Sequence, residues 1–343
     1  MNKNFNKNTE NDKDLNSDVR KEFLRVLLNR INNNKALKGI VLLVLICLLA
    51  YEIFSGGKLT QILTPYLPQE NNSQTTLATE AAPLTTAAPE IEHKLVITML
   101  DVDQGDSILV SYDDSHMLID TNVVEHYSNV KNTLTERGVE HLDYLVATHP
   151  HADHIGAMHK VLTDFDVDTY FYTECDTGKY TYQNAMEYAY KYADEVELLV
   201  KGDKFKLGDV KFTVLSPVAG ADHTENVNNA SAVMLVEWGE FNALLMGDAE
   251  SDIELELVKE NLIPDVDLLK VGHHGSYTSS DKTFLQTAKP EVSLISLGED
   301  NEYGFPHQVT LNKLEGIKTK VYRTDLNGNV TVTVGEEGKM KVK

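Results

Sequence analysis

Four side chains that can bind a metal ion lie within one short segment near the middle of the chain. The segment reads His149-Pro150-His151-Ala152-Asp153-His154 and directly follows an apolar run, residues 144–148, that is typical of a buried strand. Imidazole and carboxylate groups suit Zn²⁺, Mn²⁺ or Fe, and Pro150 fixes φ where the loop must turn tightly. We therefore predict a metal site here rather than a solvated His-rich loop.

Further potential ligands follow two later apolar runs. Asp248 ends the run LLMGD at 244–248, and His273-His274 follow the run at 268–271. Ligand sites in α/β sheets collect beyond the ends of the strands. These side chains are therefore expected to lie near the segment at 149–154, at the edge of one sheet layer.

Secondary-structure elements must position these residues. Along the chain, strands come first, and strands that alternate with helices follow. This order indicates a layered α/β sandwich with mixed sheets. Strands are predicted at 95–100, 107–112, 117–120, 144–148, 211–215, 232–238, 242–246, 268–271, 292–297 and 330–334, and helices at 130–137, 183–194, 251–260 and 281–288.

The segment HPHADH resembles the signature of the metallo-β-lactamase superfamily, whose members are αββα sandwiches that act as two-metal hydrolases. The chain looks most like the ComEC-type hydrolase domain. The resemblance implies a four-layer αββα sandwich over residues 93–343. The motifs that support it follow the family's order: LDVDQGDS (100–107), LIDTN (118–122), NNASAVMLV (228–236), LLMGD (244–248), LKVGHHGS (269–276), ISLGEDNEYGFPH (295–307) and RTDLNGNV (323–330).

The resemblance implies a role for each member of the metal site. It places His149 and His151 on one divalent ion, and Asp153 and His154 on a second. Asp248 would bridge the two ions, because each carboxylate oxygen can take one metal.

Three further residues have implied roles. Asp120 would support the metal loop from behind the ligands. We favour His274 as the later ligand of the second ion and His273 as a catalytic residue that faces the substrate, as a hydrogen-bond or proton donor; the exchange of these two roles remains open. Asp153 is expected to orient or deprotonate the bridging water as well as to bind metal.

The chain departs from the family pattern at three places. Many superfamily members carry a further His before the bridging Asp, and either His223 or Asn229 could take that place here. Relatives usually read YGHP where this chain has YGFP at 303–306, so His307 could replace the missing His, or Phe305 could narrow the cleft. Asp103 stands where relatives have Gly, and its turn must then tolerate a side chain in the left-handed region.

The charge of the chain is strongly asymmetric. The whole chain has a formal charge of -22, whereas residues 1–38 have more basic than acidic side chains. The acidic domain argues against binding nucleic acid through a basic face. The lysines at 201, 204, 206 and 211 could form a local basic strip, although a solvated hairpin is the preferred interpretation.

The N-terminal part predicts a membrane anchor. The run at 39–54 (GIVLLVLICLLAYEIF) contains one charged residue, Glu52, and basic residues precede it. The positive-inside rule then puts the N-terminus in the cytoplasm and the large domain outside the cell. We predict a cytoplasmic basic tail at 1–38, a transmembrane signal anchor at 39–55 and a Thr/Ala/Pro-rich linker at 56–92.

These observations predict an extracellular, membrane-anchored hydrolase with two divalent ions, Zn²⁺ or Mn²⁺. It would act as a phosphodiesterase or nuclease through a metal-bound hydroxide, on DNA or on the headgroup of a wall polymer. A phosphocholine-type headgroup esterase is one alternative, and a non-catalytic membrane-tethered binding module is another. The sequence contains neither a GxSxG nor a GxxxxGK[ST] motif, which argues against a serine hydrolase and a P-loop NTPase. We infer no protein partner.

Overall fold

Two mixed β-sheets lie at the centre of the computed structural model, which describes residues 93–176 and 178–343. The larger sheet has the order β15-β14-β1-β2-β3-β4-β5-β6. Its strands are β1 (Lys94–Met99), β2 (Ile108–Tyr112), β3 (Ser115–Ile119), β4 (His141–Val146), β5 (Asp166–Tyr172), β6 (Ala193–Leu198), β14 (Val330–Gly335) and β15 (Met340–Val342).

The second sheet contains the strands between β6 and β14 along the chain. Its order is β13-β12-β11-β10-β9-β8-β7. Parallel pairing of β10, β11, β12 and β13 brings their carboxyl ends to one edge. The strands are β7 (Lys204–Leu207), β8 (Val210–Ser216), β9 (Val233–Trp238), β10 (Phe241–Leu245), β11 (Leu268–Lys270), β12 (Val292–Ile295) and β13 (Lys320–Arg323).

Helices and short 3₁₀ turns connect these strands. The helices are α1 (Tyr127–Glu136), α2 (Ala152–Ile155), α3 (Met158–Asp164), α4 (Tyr180–Tyr192), α5 (Ser251–Lys259), α6 (Lys282–Ala288), α7 (Gln308–Gly316) and α8 (Thr324–Asn327). The 3₁₀ turns are Val124–His126, Val227–Ala230 and Gly272–Gly275.

Three apolar clusters hold the layers together, and they follow from the alternation of side chains along each strand. One cluster lies between the sheets and includes Ile97 and Phe212. A second packs the larger sheet against α1, α3 and α4, with Leu134 in its interior. The third packs the second sheet against α5, α6 and α7, around residues such as Phe284. This arrangement confirms the predicted α/β sandwich of helix, sheet, sheet and helix layers.

The predicted elements agree with the structure where apolar residues alternate or run together. The strands at 166–172, 193–198, 204–207, 320–323 and 340–342 and the helices at 152–155, 158–164, 308–316 and 324–327 were not predicted. The predicted helix at 183–194 spans 180–192, and Ala193 begins β6 instead. Half of β6 is acidic, and it lies at a sheet edge, so pairing with β5 decides its conformation rather than its own propensity.

The predicted tail, anchor and linker at 1–38, 39–55 and 56–92 lie outside the described residues. Within 93–176 and 178–343, no helix is both long enough and apolar enough to cross a membrane.

Candidate metal centre

The candidate site lies where four strands end. Asp120 follows β3, the loop at 149–154 follows β4, Asp248 follows β10, and the turn Gly272–Gly275 follows β11. Strands β3 and β4 run parallel in one sheet, and β10 and β11 run parallel in the other. The site is therefore built from the carboxyl ends of strands in both sheets, as expected from the sequence.

A first group of potential ligands contains His149, His151 and Asp248, whose ligand atoms all lie within 4.8 Å of one another. His149 Nε2 lies 3.0 Å from His151 Nδ1 and 3.8 Å from Asp248 Oδ2. His149 and Asp248 are buried, and His151 is partly exposed. This group can hold one cation with a side open to solvent.

A second group contains Asp153, His154 and His274. Asp153 Oδ2 lies 4.0 Å from His154 Nε2 and 3.6 Å from His274 Nε2. Asp248 Oδ2 is close to this group too, at 3.2 Å from His154 Nε2 and 3.4 Å from His274 Nε2. The structure thus brings together all six residues predicted as ligands, and Asp248 lies between the two groups.

The central atoms of this cluster fit a cation. His154 Nε2, His274 Nε2 and Asp248 Oδ1 are buried and have no hydrogen-bond partner among the described residues. An unsatisfied buried polar atom costs about 1–3 kcal/mol. Both imidazole nitrogens lie within 3.4 Å of Oδ2 of the same Asp248 carboxylate, which indicates a ligand that the protein does not itself supply. Nitrogen and carboxylate oxygen donors in this combination suit divalent cations such as Zn²⁺ or Mn²⁺.

Asp120 holds His154 in place from behind the cluster. His154 Nδ1 donates to Asp120 Oδ2 at 2.7 Å, and Thr148 donates to Asp120 through its backbone N–H and its hydroxyl. Burial lowers the pKa of His154, but the carboxylates of Asp248 and Asp120 outweigh it and hold that pKa well above its usual value. The hydrogen bond to Nδ1 leaves Nε2 facing the cluster.

Asp120→Asn is expected to lower metal affinity by roughly 10- to 100-fold, because a charged partner behind a ligating His raises the basicity of that ligand. The check is a competition titration of the purified protein against a chromophoric chelator. Asp164→Asn is the matched control, since Asp164 pairs with Lys131 on the surface. Affinity within twofold of the parent protein would contradict this role for Asp120.

The turn Gly272–Gly275 separates the two adjacent histidines. His273 and His274 both have left-handed backbones, with φ of 47° and 51°, a conformation that is strained for residues with a Cβ. His274 turns into the cluster, where its Nδ1 lies 2.8 Å from the carbonyl oxygen of Ser296. The structure thus places His274, and not His273, among the potential ligands.

A buried ion pair lies next to His274. Asp106 Oδ1 is 3.4 Å from His274 Nδ1, and Asp106 Oδ2 is 2.9 Å from Lys270 Nζ. Both members of the pair are almost fully buried. Burial lowers the pKa of His274, but Asp248 and Asp106 together raise it to about 10. Sequence reasoning missed this pair, although both residues lie in motifs that support the resemblance.

His273 lies beside the cluster and contacts a different set of groups. Its Nδ1 is 3.0 Å from Thr278 Oγ1 and 3.2 Å from Glu250 Oε1, and its ring packs edge-on against Phe305. The hydrogen bond to His273 lowers the pKa of Glu250 to about 2. With Nδ1 engaged in this way, Nε2 is the nitrogen left to interact with a substrate.

The structure places neither His223 nor Asn229 among the groups of potential ligands. His223 belongs to neither group of potential ligands; burial lowers its pKa, and the carboxylates of Asp222 and Glu256 oppose that shift. The side-chain oxygen of Asn229 accepts the backbone N–H of Glu250 at 3.0 Å. Another side chain from the same segment, Ser231, reaches the site instead.

Ser231 and Asn228 are site residues to which sequence reasoning gave no metal-site role. Ser231 Oγ accepts the backbone N–H of Asp248 at 2.9 Å and lies 3.4 Å from His149 Nδ1. Asn228 Nδ2 donates to Glu250 Oε1 at 3.0 Å, while its Oδ1 is buried with no hydrogen-bond partner among the described residues. The quoted motif NNASAVMLV contains both residues and was the available signal.

The loop at 100–107 packs directly on the backbone of the metal loop. Asp106 N–H donates to the carbonyl oxygen of Asp153 at 3.1 Å, and a Cβ at Gly105 would lie 2.3 Å from that oxygen. Any side chain at Gly105 would therefore push the two loops apart. Asp103 has a φ of 63°, which confirms the predicted left-handed conformation.

Glu254 of α5 anchors the loop that follows His274. It is fully buried, and its two carboxylate oxygens accept the backbone N–H groups of Ser280 and Asp281 at 2.7 and 2.6 Å. Burial raises the pKa of Glu254 to about 7, although these N–H groups oppose the shift. The group therefore titrates at a higher pH in the folded chain than in the unfolded chain.

The pKa of Glu254 predicts a fall in stability as pH rises. Between its ordinary pKa of 4.5 and the folded value of about 7, the folded chain retains a proton that the unfolded chain releases. The free energy of unfolding therefore decreases across this window. Urea unfolding of the parent protein and of Glu254→Gln, at several pH values, should show a shallower decline in the variant. Parallel curves for the two proteins would contradict the assignment.

Comparison with known protein families matches the region of the chain that contains the candidate metal centre. The family model described as the metallo-beta-lactamase superfamily matches residues 100–299. The matched region contains all six potential ligands as well as Asp106, Lys270 and His273.

Curated relatives match the same domain. ComE operon protein 3 of Bacillus subtilis is 32% identical over 68% of this chain and 32% of its own length, and competence protein ComA of Neisseria gonorrhoeae is 30% identical over 72% of this chain and 33% of its own length. The chain thus spans about a third of the length of these relatives. Among solved structures, the metallo-beta-lactamase fold protein YhfI of Bacillus subtilis covers 67% of this chain and 96% of its own, with 13% identity and a TM-score of 0.46.

Proposed function

The chain belongs to the metallo-β-lactamase superfamily, and on that premise we propose that it is a metal-dependent hydrolase that cleaves phosphodiesters with two divalent cations, Zn²⁺ or Mn²⁺. The observation that carries this proposal is the convergence of buried, unpartnered His and Asp atoms from both sheets on one space. A non-catalytic binding module would not need Asp248 between two complete groups of potential ligands.

Some residues of the site would bind the cations, and others would contact the substrate. His149, His151 and Asp248 would hold one cation, and Asp153, His154 and His274 the other, with Asp248 shared. Two cations in such a site supply Lewis-acid stabilisation of a phosphoryl oxygen and lower the pKa of coordinated water to about 7.

Two side chains at the edge of the cluster would act on the reacting groups. Asp153 is about one-third exposed, and its carboxylate can orient the attacking water and accept its proton. With Nδ1–H donating to the Glu250 carboxylate, His273 would act as an imidazolium and donate a second hydrogen bond through Nε2 to the oxygen on which negative charge develops. Thr278 and Glu250 hold the His273 ring in the orientation that this role needs.

Two substrate classes need to be distinguished within phosphodiester hydrolysis. The resemblance to ComEC-type domains favours DNA as the substrate, and thus nuclease activity. The acidic charge of the chain favours a small ester with a phosphocholine-type headgroup, such as a substituent of a wall polymer. Both classes need the same two-cation chemistry at phosphorus.

The experiment is a hydrolysis assay of the purified full chain with added Zn²⁺ or Mn²⁺. The substrates are bis-p-nitrophenyl phosphate, single-stranded DNA and p-nitrophenyl phosphocholine, and a chelator-treated sample is the blank. Metal-dependent cleavage of at least one phosphodiester supports the proposal. Metal that binds without turnover of any of the three would favour a non-catalytic, membrane-tethered binding module.

We also propose that residues 39–55 anchor the chain in the cell membrane with the catalytic domain outside. This rests on the apolar run and the basic residues before it. Protease added to intact cells should degrade the domain while a cytoplasmic marker survives. Protection of the domain until the cells are lysed would contradict the proposed orientation.

A further inference from the structure

A continuous row of aromatic rings leads from the metal centre to solvent. Phe305 lies 6.1 Å from the His274 ring and stacks on Tyr303 at 5.3 Å between ring centroids. Phe305 also contacts His307 edge-on at 5.2 Å, and His307 in turn meets Tyr277 edge-on at 5.0 Å. Tyr303 and Tyr277 are 64% and 63% exposed, so both ends of the row are open to a ligand.

Most of this row of rings does not belong to the hydrophobic core. Phe305 packs against the outer cluster of the second sheet, but the two tyrosines project away from it. The backbone around them is held in a defined conformation, because Asn301 bonds to the backbone N–H and carbonyl of Phe305, and His307 Nδ1 accepts the N–H of Tyr277. The row, here called the ring row (Tyr277, Tyr303, Phe305 and His307), is therefore an ordered surface next to a site.

Lys313 of α7 lies close enough to act on Asp281, but the ring row is surrounded mainly by carboxylates. Its own loop carries three exposed acidic residues, Glu299, Asp300 and Glu302, and the sequence between Lys289 and Lys313 contains no Lys or Arg. Each of the other loops that form the site carries at least one carboxylate, and Lys179 is the one Lys or Arg in their sequences. These loops are 100–107, 147–159, 173–176 with 178–179, 217–232, 247–250 and 271–281.

We infer that the ring row is the subsite for a quaternary ammonium group, so that the substrate is a small phosphodiester carrying a choline-type cation. Aromatic faces attract such cations electrostatically, and the surrounding carboxylates add to the attraction. The phosphorus would then lie at the metal centre and the cation on the rings beside it. This inference rests on the proposed phosphodiester hydrolysis and names its substrate class.

The same observations argue against a nucleic acid as the substrate. Stacking of bases on aromatic rings is used for single strands, but it accompanies a basic groove that follows the phosphates. The lysines predicted as a basic strip lie on the β7–β8 hairpin at a sheet edge, where Lys206 is opposite Lys211. Lys201 pairs with Glu260 and Glu256 of the α5 region. These four lysines are thus not arranged along the rings.

The test compares two esters that differ at one atom, a positively charged nitrogen in one and a neutral carbon in the other. One is p-nitrophenyl phosphocholine, and the other is 3,3-dimethylbutyl p-nitrophenyl phosphate, in which a tert-butyl group replaces the trimethylammonium group. In both, water oxygen forms a new bond to phosphorus, the bond to the aryl oxygen breaks, p-nitrophenolate leaves with the electron pair, and a proton passes to solvent. The metal-loaded full chain should prefer the choline ester by about tenfold in kcat/KM.

Variants then test whether the ring row causes the preference for the choline ester. Tyr303→Ala should raise KM for the choline ester by about 5- to 30-fold, and change KM for the tert-butyl ester by less than twofold. Tyr303→Phe should retain the preference, because the ring remains. Tyr190→Ala, which removes an exposed tyrosine of α4 outside the ring row, is the control and should behave like the parent protein.

A second readout does not depend on turnover. Binding of tetramethylammonium to the full chain, followed by NMR line broadening of the cation, should weaken in Tyr303→Ala and persist in Tyr190→Ala. Equal hydrolysis of the two esters, or faster cleavage of single-stranded DNA than of the choline ester, would overturn the inference while leaving phosphodiester hydrolysis intact. Absence of cleavage of every ester and of DNA would instead overturn the proposed function, and this inference with it.

Discussion

Asp248→Ala is expected to reduce phosphodiester hydrolysis at least about 1000-fold and to leave the protein with one bound metal ion or none. Asp248 Oδ2 lies within 3.8 Å of nitrogens of His149, His154 and His274, so its removal takes a shared donor from both groups of potential ligands. Activity and metal content measured on the same preparation check the prediction. His151→Ala should also reduce hydrolysis and bound metal, because it removes a potential ligand from the first group alone.

The control for Asp248→Ala is Asp252→Ala, which removes an exposed carboxylate of α5. Circular dichroism of both variants should match that of the parent protein, because the apolar clusters do not include either side chain. Retention of more than a tenth of the parent activity in Asp248→Ala, with normal metal content, would contradict the shared role.

Lys270→Met is expected to lower the free energy of unfolding by about 3–5 kcal/mol, because it removes the ammonium group from the buried Asp106 carboxylate and leaves only the more distant His274 ring beside it. Lys270 Nζ lies 2.9 Å from Asp106 Oδ2, and both residues are at most 2% exposed. Urea unfolding, with the metal removed by chelator from both proteins, measures the loss without a contribution from metal binding.

The double variant Lys270→Met/Asp106→Asn separates a charge effect from a packing effect. If the loss comes from the uncompensated carboxylate, the double variant should recover at least half of the stability lost by Lys270→Met. A stability loss in the double variant equal to the sum of the two single losses would contradict coupling between the side chains. A loss below about 0.5 kcal/mol in Lys270→Met would contradict the importance of the pair itself.

The sequence predicted the sheets best where side-chain patterns are local. Strands such as β9 and β12 are apolar enough to be recognised from their own residues. Strands β6 and β7 lie at sheet edges and half of the residues in each are charged, so their conformation depends on pairing with a neighbouring strand. Pairing of β14 with β1 likewise joins the two ends of the domain and has no local signature.

The sequence identified the residues that the candidate site brings together, but not the residues that support them. The segment at 149–154 concentrates ligand types that the resemblance then assigns to two cations. The roles of Ser231 and of the Lys270–Asp106 pair depend on which loops meet in three dimensions, and no spacing along the chain encodes that meeting. His273 and His274 are adjacent, so only the two left-handed residues of their turn decide which one enters the cluster.

The central claim is tested most directly by titrating metal-free protein with Zn²⁺ or Mn²⁺ while following hydrolysis of bis-p-nitrophenyl phosphate. Our account predicts that activity rises with bound metal and saturates near two equivalents per chain, and that Asp248→Ala shows no such rise. Tight binding of metal with no hydrolysis at any ratio, or hydrolysis that persists in the metal-free protein, would contradict it.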